Sequence, residues 1–406
     1  MGLTISKEQF ENSYQTIFQD VLVSMEVCNT ELRTLLEYGA SVARPRAIID
    51  GVRVRDYTAG VNYTIDQTAD EKESLVVNKL KVAVVRIDRT EKVQMKNLSP
   101  SEFFGTQIAL KVSTYVDGDA LALSRGFATF DAGNIGGSAG TPIDLDGTSP
   151  TLPVEKTSAK AYATVRSLVK GKLLTNMVWV IDSLAAGSIE VTLMGKSIEL
   201  ATSVWKNGFA GPLRTAMLYV SENLAADASI EFTTQPTAGQ TLVIGAFTYT
   251  YVASIGATPG NILIGAAAAN TRANTVAALN VGSGGGTTYV AWTDTAPNFD
   301  ASVWAELRLT AVDNVAGTQI DITTIGSGRL AISGTSIATV GQINYSFINS
   351  PYMVKGAIDV VAQDKIEGEA IPDPFQMADI VRSFTMYGVK LFKDGIKQGV
   401  NVKIKA

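Results

Sequence analysis

The chain of 406 residues contains no histidine. That removes the commonest general base, the usual activator of a serine or cysteine nucleophile and the commonest metal ligand. Carboxylates, lysines and one thiol are left to do chemistry. Cys28 is the single cysteine, so no intramolecular disulfide can form, and its apolar neighbours in a predicted helix assign it to buried filler rather than to a reactive thiol. Three glycine-bearing stretches imitate ligand loops and fail on context or spacing. Asn134-Ile-Gly-Gly-Ser-Ala-Gly140 lacks the flanking strand and helix of a phosphate cradle. Gly195-Lys196-Ser197 matches the end of a P-loop, but Glu190 stands where its first glycine belongs. Asp144-Leu145-Asp146-Gly147 offers two acids of a calcium loop without the third ligand or the distal Glu. No pair of acids stands out by spacing as a general acid and base. The expectation is no catalytic residue, no cofactor and no metal.

Composition narrows the class further. A formal net charge of −5 and a pI near 5.1 argue against a protein that binds nucleic acid by broad phosphate neutralisation. Hydrophobic residues make up 46% of the chain, enough for two or three domains at this length. The first ten residues have neither the basic start nor the apolar run of a secretion signal, and no apolar run is long enough to span a membrane. Met1 to Ser6 formally fits a myristoylation pattern. Ser6 is better explained as a helix N-cap, with Gln9 completing a capping box.

Periodicity then places the elements. Phe10, Tyr14, Ile17, Val21 and Met25 fall on one helical face, and a second helical turn from Asn29-Thr30 carries Leu32, Leu35 and Leu36 up to Gly39. Together they make a helical amino-terminal arm. Gly51 to Tyr57 alternates apolar and charged residues, and Leu75 to Asp88 carries Leu80, Val82 and Val84 at every second position. These two runs are expected to be the arms of a long hairpin whose polar tip is Thr58 to Ser74. Ser99-Pro100-Ser101-Glu102 starts a long helix running to about Leu123, with Phe104, Ile108, Lys111 or Val112, Tyr115 and Leu121 or Ala122 on its packing stripe. Gly126 to Pro153 is expected to be a long loop.

Lys156 to Asn223 reads as a compact α/β unit: a short helix through Ala161, Val165, Leu168 and Val169, then strands at Met177–Ile181 and Leu213–Val220, with Trp179 and Trp205 as core residues. From near Ala225 to near Gln342 the texture changes to Ala, Gly and Thr, and lysine disappears. Within it a hairpin is predicted from Thr241–Ile244, a Gly245-Ala246 turn and Phe247, Tyr249 and Tyr251. A helix from Ala267 to Asn280 follows, then strands at Thr287–Trp292, Ala305–Ala311 and Gln319–Thr323. Gly282 to Gly286 is expected to be a flexible loop tip.

The order of these pieces resembles the major capsid proteins of tailed bacteriophages, the fold named after phage Hong Kong 97. The resemblance rests on the extended loop before a spine helix (Val52–Tyr57, Leu75–Asp88, then Ser99–Ala122) and on Asn207-Gly208-Phe209-Ala210-Gly211 leading to Leu218–Leu224. It rests also on the closing segments Lys355–Gln363 and Tyr387–Gly395. It covers roughly residues 40 to 225 and 345 to 406. It implies an α+β chain divided into an arm (1–40), an extended hairpin with peripheral strands (41–97), a spine helix and loop (98–155), an axial domain (156–225), an inserted small α+β domain (226–342) and closing strands (343–406). It also implies a function: self-assembly as hexamers and pentamers into an icosahedral shell around double-stranded DNA, without sequence-specific binding and without a membrane. Scaffold, portal and decoration proteins are the implied partners, and Tyr57, Asp66, Asp70, Glu71, Lys72, Phe10 and Tyr14 the implied contacts between subunits. The runner-up is another virion component, such as a tail-tube or fibre protein, which would share the Thr- and Gly-rich insert without needing the long helix. An enzyme working through carboxylates is the third reading.

Some members of that family join a loop lysine to a neighbour's asparagine. The loop tip here, Thr58 to Asp70, has no lysine, and Lys72 sits between Glu71 and Glu73. The expectation is a non-covalent shell.

Overall fold

The computed structural model describes residues 22–32, 41–48, 56, 59–60, 62, 69–88, 100–145, 154–170, 174–194, 209–213, 216–232, 234–281, 285–292, 301–316, 318–335, 343–362, 369–372 and 378–405. Among the described residues the first elements are a short helix, α1 (Val23–Val27), and strand β1 (Ser41–Ile48), which pairs antiparallel with β2 (Ala69–Val76) in a register that sets Ser41 opposite Val76 and Ile48 opposite Ala69. This hairpin is displaced from the expected one. Of the expected first arm only Asp56 is described, and the expected return arm divides at Val77-Asn78. Beyond that point β3 (Lys79–Asp88) leaves the hairpin to pair with a strand near the end of the chain.

The alternation within β3 is real, but its outward face carries the larger apolar residues. Leu80, Val82 and Val84 are more than half exposed, whereas Ala83 and Val85 pack on the core. A period of two fixes which residues share a face, not which face is buried. Here Lys79 and Lys81 lay their stems along the inner side and deliver their ammonium groups to the next helix.

That helix is α2 (Pro100–Ala122), with 23 residues and a length of about 35 Å. Ile108 and Val112 are buried and Lys111 is exposed, which resolves the stripe in its first half. From Val116 to Leu121 every residue is buried, so its second half is enclosed on all sides. The stretch that follows is not simply a loop. It holds a single turn of 3-10 helix, then β4 (Ala128–Phe130), then a second such turn, Ala132–Ile135, capped by the Asp131 carboxylate, which accepts from Gly133 N at 2.9 Å.

The next unit contains α3 (Val154–Leu168), β5 (Met177–Ile181), α4 (Ser183–Met194), β6 (Phe209–Leu213) and β7 (Ala216–Val220). The single strand expected over Leu213–Val220 is thus two paired strands, and the turn expected at Asn207 to Gly211 contributes to the first of them, with a bulge between Phe209 and Gly211. Trp179 lies fully buried in β5 and donates from its indole to Ser350 Oγ at 2.8 Å. Trp205 and Gly195 to Ser197 lie outside the described residues.

The Ala-, Gly- and Thr-rich segment begins with β8 (Ala225–Glu231), then β9 (Thr241–Ile244), β10 (Phe247–Val252), β11 (Asn261–Leu263), α5 (Ala268–Leu279), α6 (Ala301–Leu307), β12 (Thr310–Asn314), β13 (Gln319–Thr323) and β14 (Ile332–Ser333). Two expected strands are corrected. Ala305–Ala311 is the end of a helix followed by the start of a strand, and around Tyr289 there are isolated bridges only. The chain closes with β15 (Ile343–Val354), β16 (Asp359–Ala362), β17 (Glu369–Pro372), β18 (Ala378–Lys390) and β19 (Gly399–Lys405).

Two larger sheets organise these strands. One runs β12-β13-β8-β15-β5-β7-β6, with β19 on β15 and β4 on β19. The other sets β3 along one side of β18, with β16 and β17 on its opposite side. A smaller sheet, β11-β10-β9-β14, carries Phe247, Tyr249 and Tyr251 inward, where Trp292 and Trp304 meet Phe247 and Tyr249 edge to face. The segment expected to be an independent insert therefore shares a sheet with the rest, because β8 and β13 extend the edge of β15, and its buried residues join the main hydrophobic core.

This continuity determines where the segment can be cut. Ile230 stands opposite Ile343, so replacing residues 233–341 by a short Gly-Ser linker joins cross-strand neighbours and keeps the β8–β15 pair. Deleting Ala226 to Gln342 instead strips the edge of β15. Both deletions leave Asp119 and Asp182 without Arg308 and Arg329, but the first is expected to keep more soluble protein than the second. Equal behaviour of the two would count against the shared sheet.

Candidate functional site

Two acids interrupt the apolar second half of α2, Asp117 and Asp119. Successive residues turn by about 100° around a helix, so these two carboxylates leave on nearly opposite sides. Each finds a different partner. Asp117 accepts from Val23 N at 3.2 Å and Ser24 N at 2.9 Å, and Asn223 Nδ2 approaches at 3.4 Å. It therefore caps the first turn of α1 from another helix, filling the place that Leu22 at the N-cap cannot. Burial pushes its carboxyl above the usual range, and these donors offset only part of that rise.

Asp119 gathers charge from three directions. Lys79 of β3 reaches Oδ2 at 2.7 Å, Tyr387 of β18 donates its hydroxyl to the same oxygen at 2.6 Å, and Arg308 donates to Oδ1. Burial opposes ionisation, but the Lys79, Tyr387 and Arg308 donors outweigh it and hold the Asp119 carboxyl below the usual range. Burial, together with the same contact, pushes the Tyr387 phenol up. Arg308 directly follows α6 with φ +45, a left-handed backbone more natural to glycine. Its guanidinium also lies 5.2 Å from the centre of the Tyr115 ring, against which Lys81 Nζ packs at 4.9 Å.

Further ion pairs fasten the Ala-, Gly- and Thr-rich segment to its surroundings. Arg125, just past α2, bonds Asp227 and the carbonyls of Ala226 at 3.1 Å and Thr324 at 2.9 Å. Arg329 bonds Asp182 and the Lys405 carbonyl. Lys111 pairs with Glu306. At the centre Gly118 of α2 meets the turn at Gly326 so closely that a Cβ on Gly118 would stand 2.7 Å from the Gly326 Cα. A small polar cavity beside this junction, about 130 Å³ and lined in part by Thr114, Tyr115, Asn223 and Arg308, is well below the size of a usual organic-ligand site.

The carboxylates thus act as fasteners between elements. Among the described residues no group of three or more His, Cys, Asp or Glu is placed to hold a metal ion, and no helix is long and apolar enough to cross a membrane. Asp131 accepts from Gly133 N and, at 2.8 Å, from Gly140 N, while Lys405 bonds Asp144 at 3.1 Å. Cys28 is buried and free, and its thiol is pushed up chiefly by burial.

Of the residues expected at contacts between subunits, Phe10, Tyr14, Tyr57 and Asp66 lie outside the described residues. Asp70, Glu71 and Lys72 fall on β2, their backbones opposite Ala47, Arg46 and Pro45, and the Lys72 side chain is exposed. Sequence reasoning missed the Asp119 network and the exposure of Leu80, Val82 and Val84. An available signal was the pair of acids inside an otherwise apolar helical stretch.

No protein-family model and no curated protein matches this chain. Among solved structures it is similar to that of Mycobacterium phage Che8, with 14% identity over 94% of this chain and 90% of that one and a TM-score of 0.47. It is likewise similar to the capsid of cyanophage P-SCSP1u, with 8% identity over 94% and 88% and a TM-score of 0.46, and to the capsid of Ralstonia phage GP4, with 9% identity over 100% and 93% and a TM-score of 0.41.

Proposed function

We propose that this chain is the major capsid protein of a tailed bacteriophage, self-assembling into the icosahedral shell around packaged double-stranded DNA. The observation that carries the reading is the combination of a long, centrally buried helix with a sheet that ends in an unfinished surface. β3 lies at the side of its sheet and turns Leu80, Val82 and Val84 to solvent, with exposed Val76 on β2 nearby. An apolar stripe on an edge strand is a liability for an isolated monomer and an asset for a subunit that is always covered in its assembly.

The mechanism is mechanical rather than catalytic. The β1–β2 hairpin and the amino-terminal arm reach over neighbouring subunits, with Tyr57, Asp66, Asp70, Glu71 and Lys72 on the loop and Phe10 and Tyr14 on the arm as contacts. Many modest contacts, repeated by symmetry across hexamers and pentamers, then hold the lattice. Assembly takes place in the host cytoplasm with scaffold and portal proteins, and a decoration protein is a further partner. A tail-tube or fibre protein would not need α2, which favours the shell over that alternative.

Electron microscopy of the expressed protein tests this directly. Closed shells are the expected result, and tubes or no assembly would overturn it. Because the loop tip lacks lysine and Lys72 lies exposed on a paired strand, mature particles boiled in detergent should run as one band near 43.0 kDa. A ladder of covalent oligomers would refute the non-covalent lattice and make Lys72 the first residue to replace.

A further inference from the structure

One helix face of this acidic chain is basic at its described positions. Along α3 and its final turn the buried positions are Thr157, Ser158, Ala161 and Val165. The exposed positions are Lys156, Ala159, Lys160, Ala163, Arg166, Ser167 and Lys170. At about 100° per residue the six exposed positions within the helix, from Lys156 to Ser167, fall within a single arc of about 120°, and Lys170 follows in the turn after it with φ +58. Every exposed position on it is a cation or a small residue. Lys397 lies exposed in the 3-10 turn Gly395–Gln398 that packs beside the helix, together with exposed Ile396 and the half-buried Asp394 at the N-cap of that turn. The nearby Asp131 carboxylate is occupied by the backbone donors Gly133 N and Gly140 N.

We infer that this face of α3 is the surface the chain turns toward DNA, making a sequence-independent contact with the phosphate backbone of a duplex through Lys156, Lys160, Arg166 and Lys170. The inference rests on the proposed shell function and assigns which surface faces the packaged duplex. Charge complementarity commits it to a polyanion. A protein partner of ordinary affinity would call for aromatic or aliphatic anchors in the middle of the patch, and the positions between the cations are Ala159, Ala163 and Ser167 instead. Small residues there let a broad, evenly charged surface approach closely. From Lys156 to Arg166 the helix rises about 15 Å, roughly four base pairs of duplex at about 3.4 Å each. Contacts to phosphate alone carry no sequence information, as suits a container that must accept any stretch of its DNA.

The test uses the full-length chain kept unassembled, as light scattering verifies, so that the inward face is open, and a short labelled mixed-sequence DNA duplex, with binding followed by fluorescence anisotropy between about 50 and 200 mM salt. Wild type is expected to show a log–log salt slope of about −3 to −4, since each neutralised phosphate contributes about −0.9. The variant K156Q/K160Q/R166Q/K170Q alters only exposed side chains and should keep the wild-type circular dichroism and melting curve. Its slope should fall toward zero, with affinity at the lowest salt down by at least tenfold. A control replacing Lys355, exposed elsewhere, should bind like wild type. Wild-type protein that does not bind the duplex, or a quadruple variant that binds as tightly as wild type, would overturn the inference. So would a variant that keeps its DNA affinity but no longer assembles, which would make the face a contact between copies of the chain. Failure to form shells with the DNA slope intact would sink the shell function and leave this surface standing.

Discussion

Asp119→Ala is expected to lower the unfolding free energy by about 3–5 kcal/mol, the usual range for removing one partner of a buried ion pair. Its carboxylate is nearly inaccessible and accepts from Lys79, Arg308 and Tyr387, which belong to β3, the residue after α6 and β18. One truncation therefore leaves two cations and a phenol short of an acceptor and loosens three elements from α2. Chemical denaturation reads the loss, and assembly should fail with it. The pH dependence identifies the cause. Because the folded Asp119 carboxyl titrates below its ordinary 3.8, its contribution is full above that value and is lost as pH falls through the lower folded value. The stability gap between wild type and Asp119→Asn should therefore be constant near neutrality and close in acid. Asp117, whose carboxyl is raised by burial, has the opposite sign: its contribution is fully present in acid and declines as pH rises through the folded value. Asp117→Asn should accordingly gain on wild type as pH rises. If both variants shift the same way with pH, the two environments have been assigned wrongly.

The second large effect is expected at Gly118. In an isolated helix, alanine would be better than glycine by about 1 kcal/mol. Here the new Cβ would stand 2.7 Å from a backbone atom of Gly326, and Gly326 itself holds φ +72 in a turn against α2. A backbone neighbour cannot swing aside as a long side chain can. Gly118→Ala should therefore be a net loss, and Gly118→Val should reach the upper part of the 1–3 kcal/mol range typical of overpacking. The readouts are a thermal melt and faster proteolysis at residues 324–328. An Gly118→Ala protein more stable than wild type would mean that the contact is loose and helix propensity decides.

What the sequence disclosed was local. The bounds of α2, the β9–β10 hairpin around Gly245-Ala246, α5, β13 and the buried strand β5 all follow from patterns within a dozen residues. The failures share a cause. Leu307, Leu309 and Ala311 alternate like a strand, yet the chain spends the first of them in α6 and turns at Arg308 because that guanidinium is bound to Asp119, 189 residues earlier. The inner side of β3 could not be chosen from its alternation, since both parities contain apolar residues and the partner strand β18 lies near the far end of the chain. Tyr387 reaches Asp119 across 268 residues. A site assembled from such distances leaves only a faint mark on the sequence, here two acids where a helix has no solvent to give them.

The cap on α1 has a consequence for the order of events during synthesis. Val23 and Ser24 are bound by a residue made about ninety positions later, and Asn29 is joined to Asp359 across 330 residues. At about 5–20 residues per second on the ribosome, the first helix waits several seconds or more for Asp117 and longer still for its second tether. β3, with its apolar stripe, likewise waits for β18 until nearly the whole chain has been translated. Segments made first are thus fixed last, and throughout that interval an unpaired, greasy strand is open to every other nascent copy. Made in quantity, such a chain would then depend on chaperone capacity, and its yield on the rate at which it is translated.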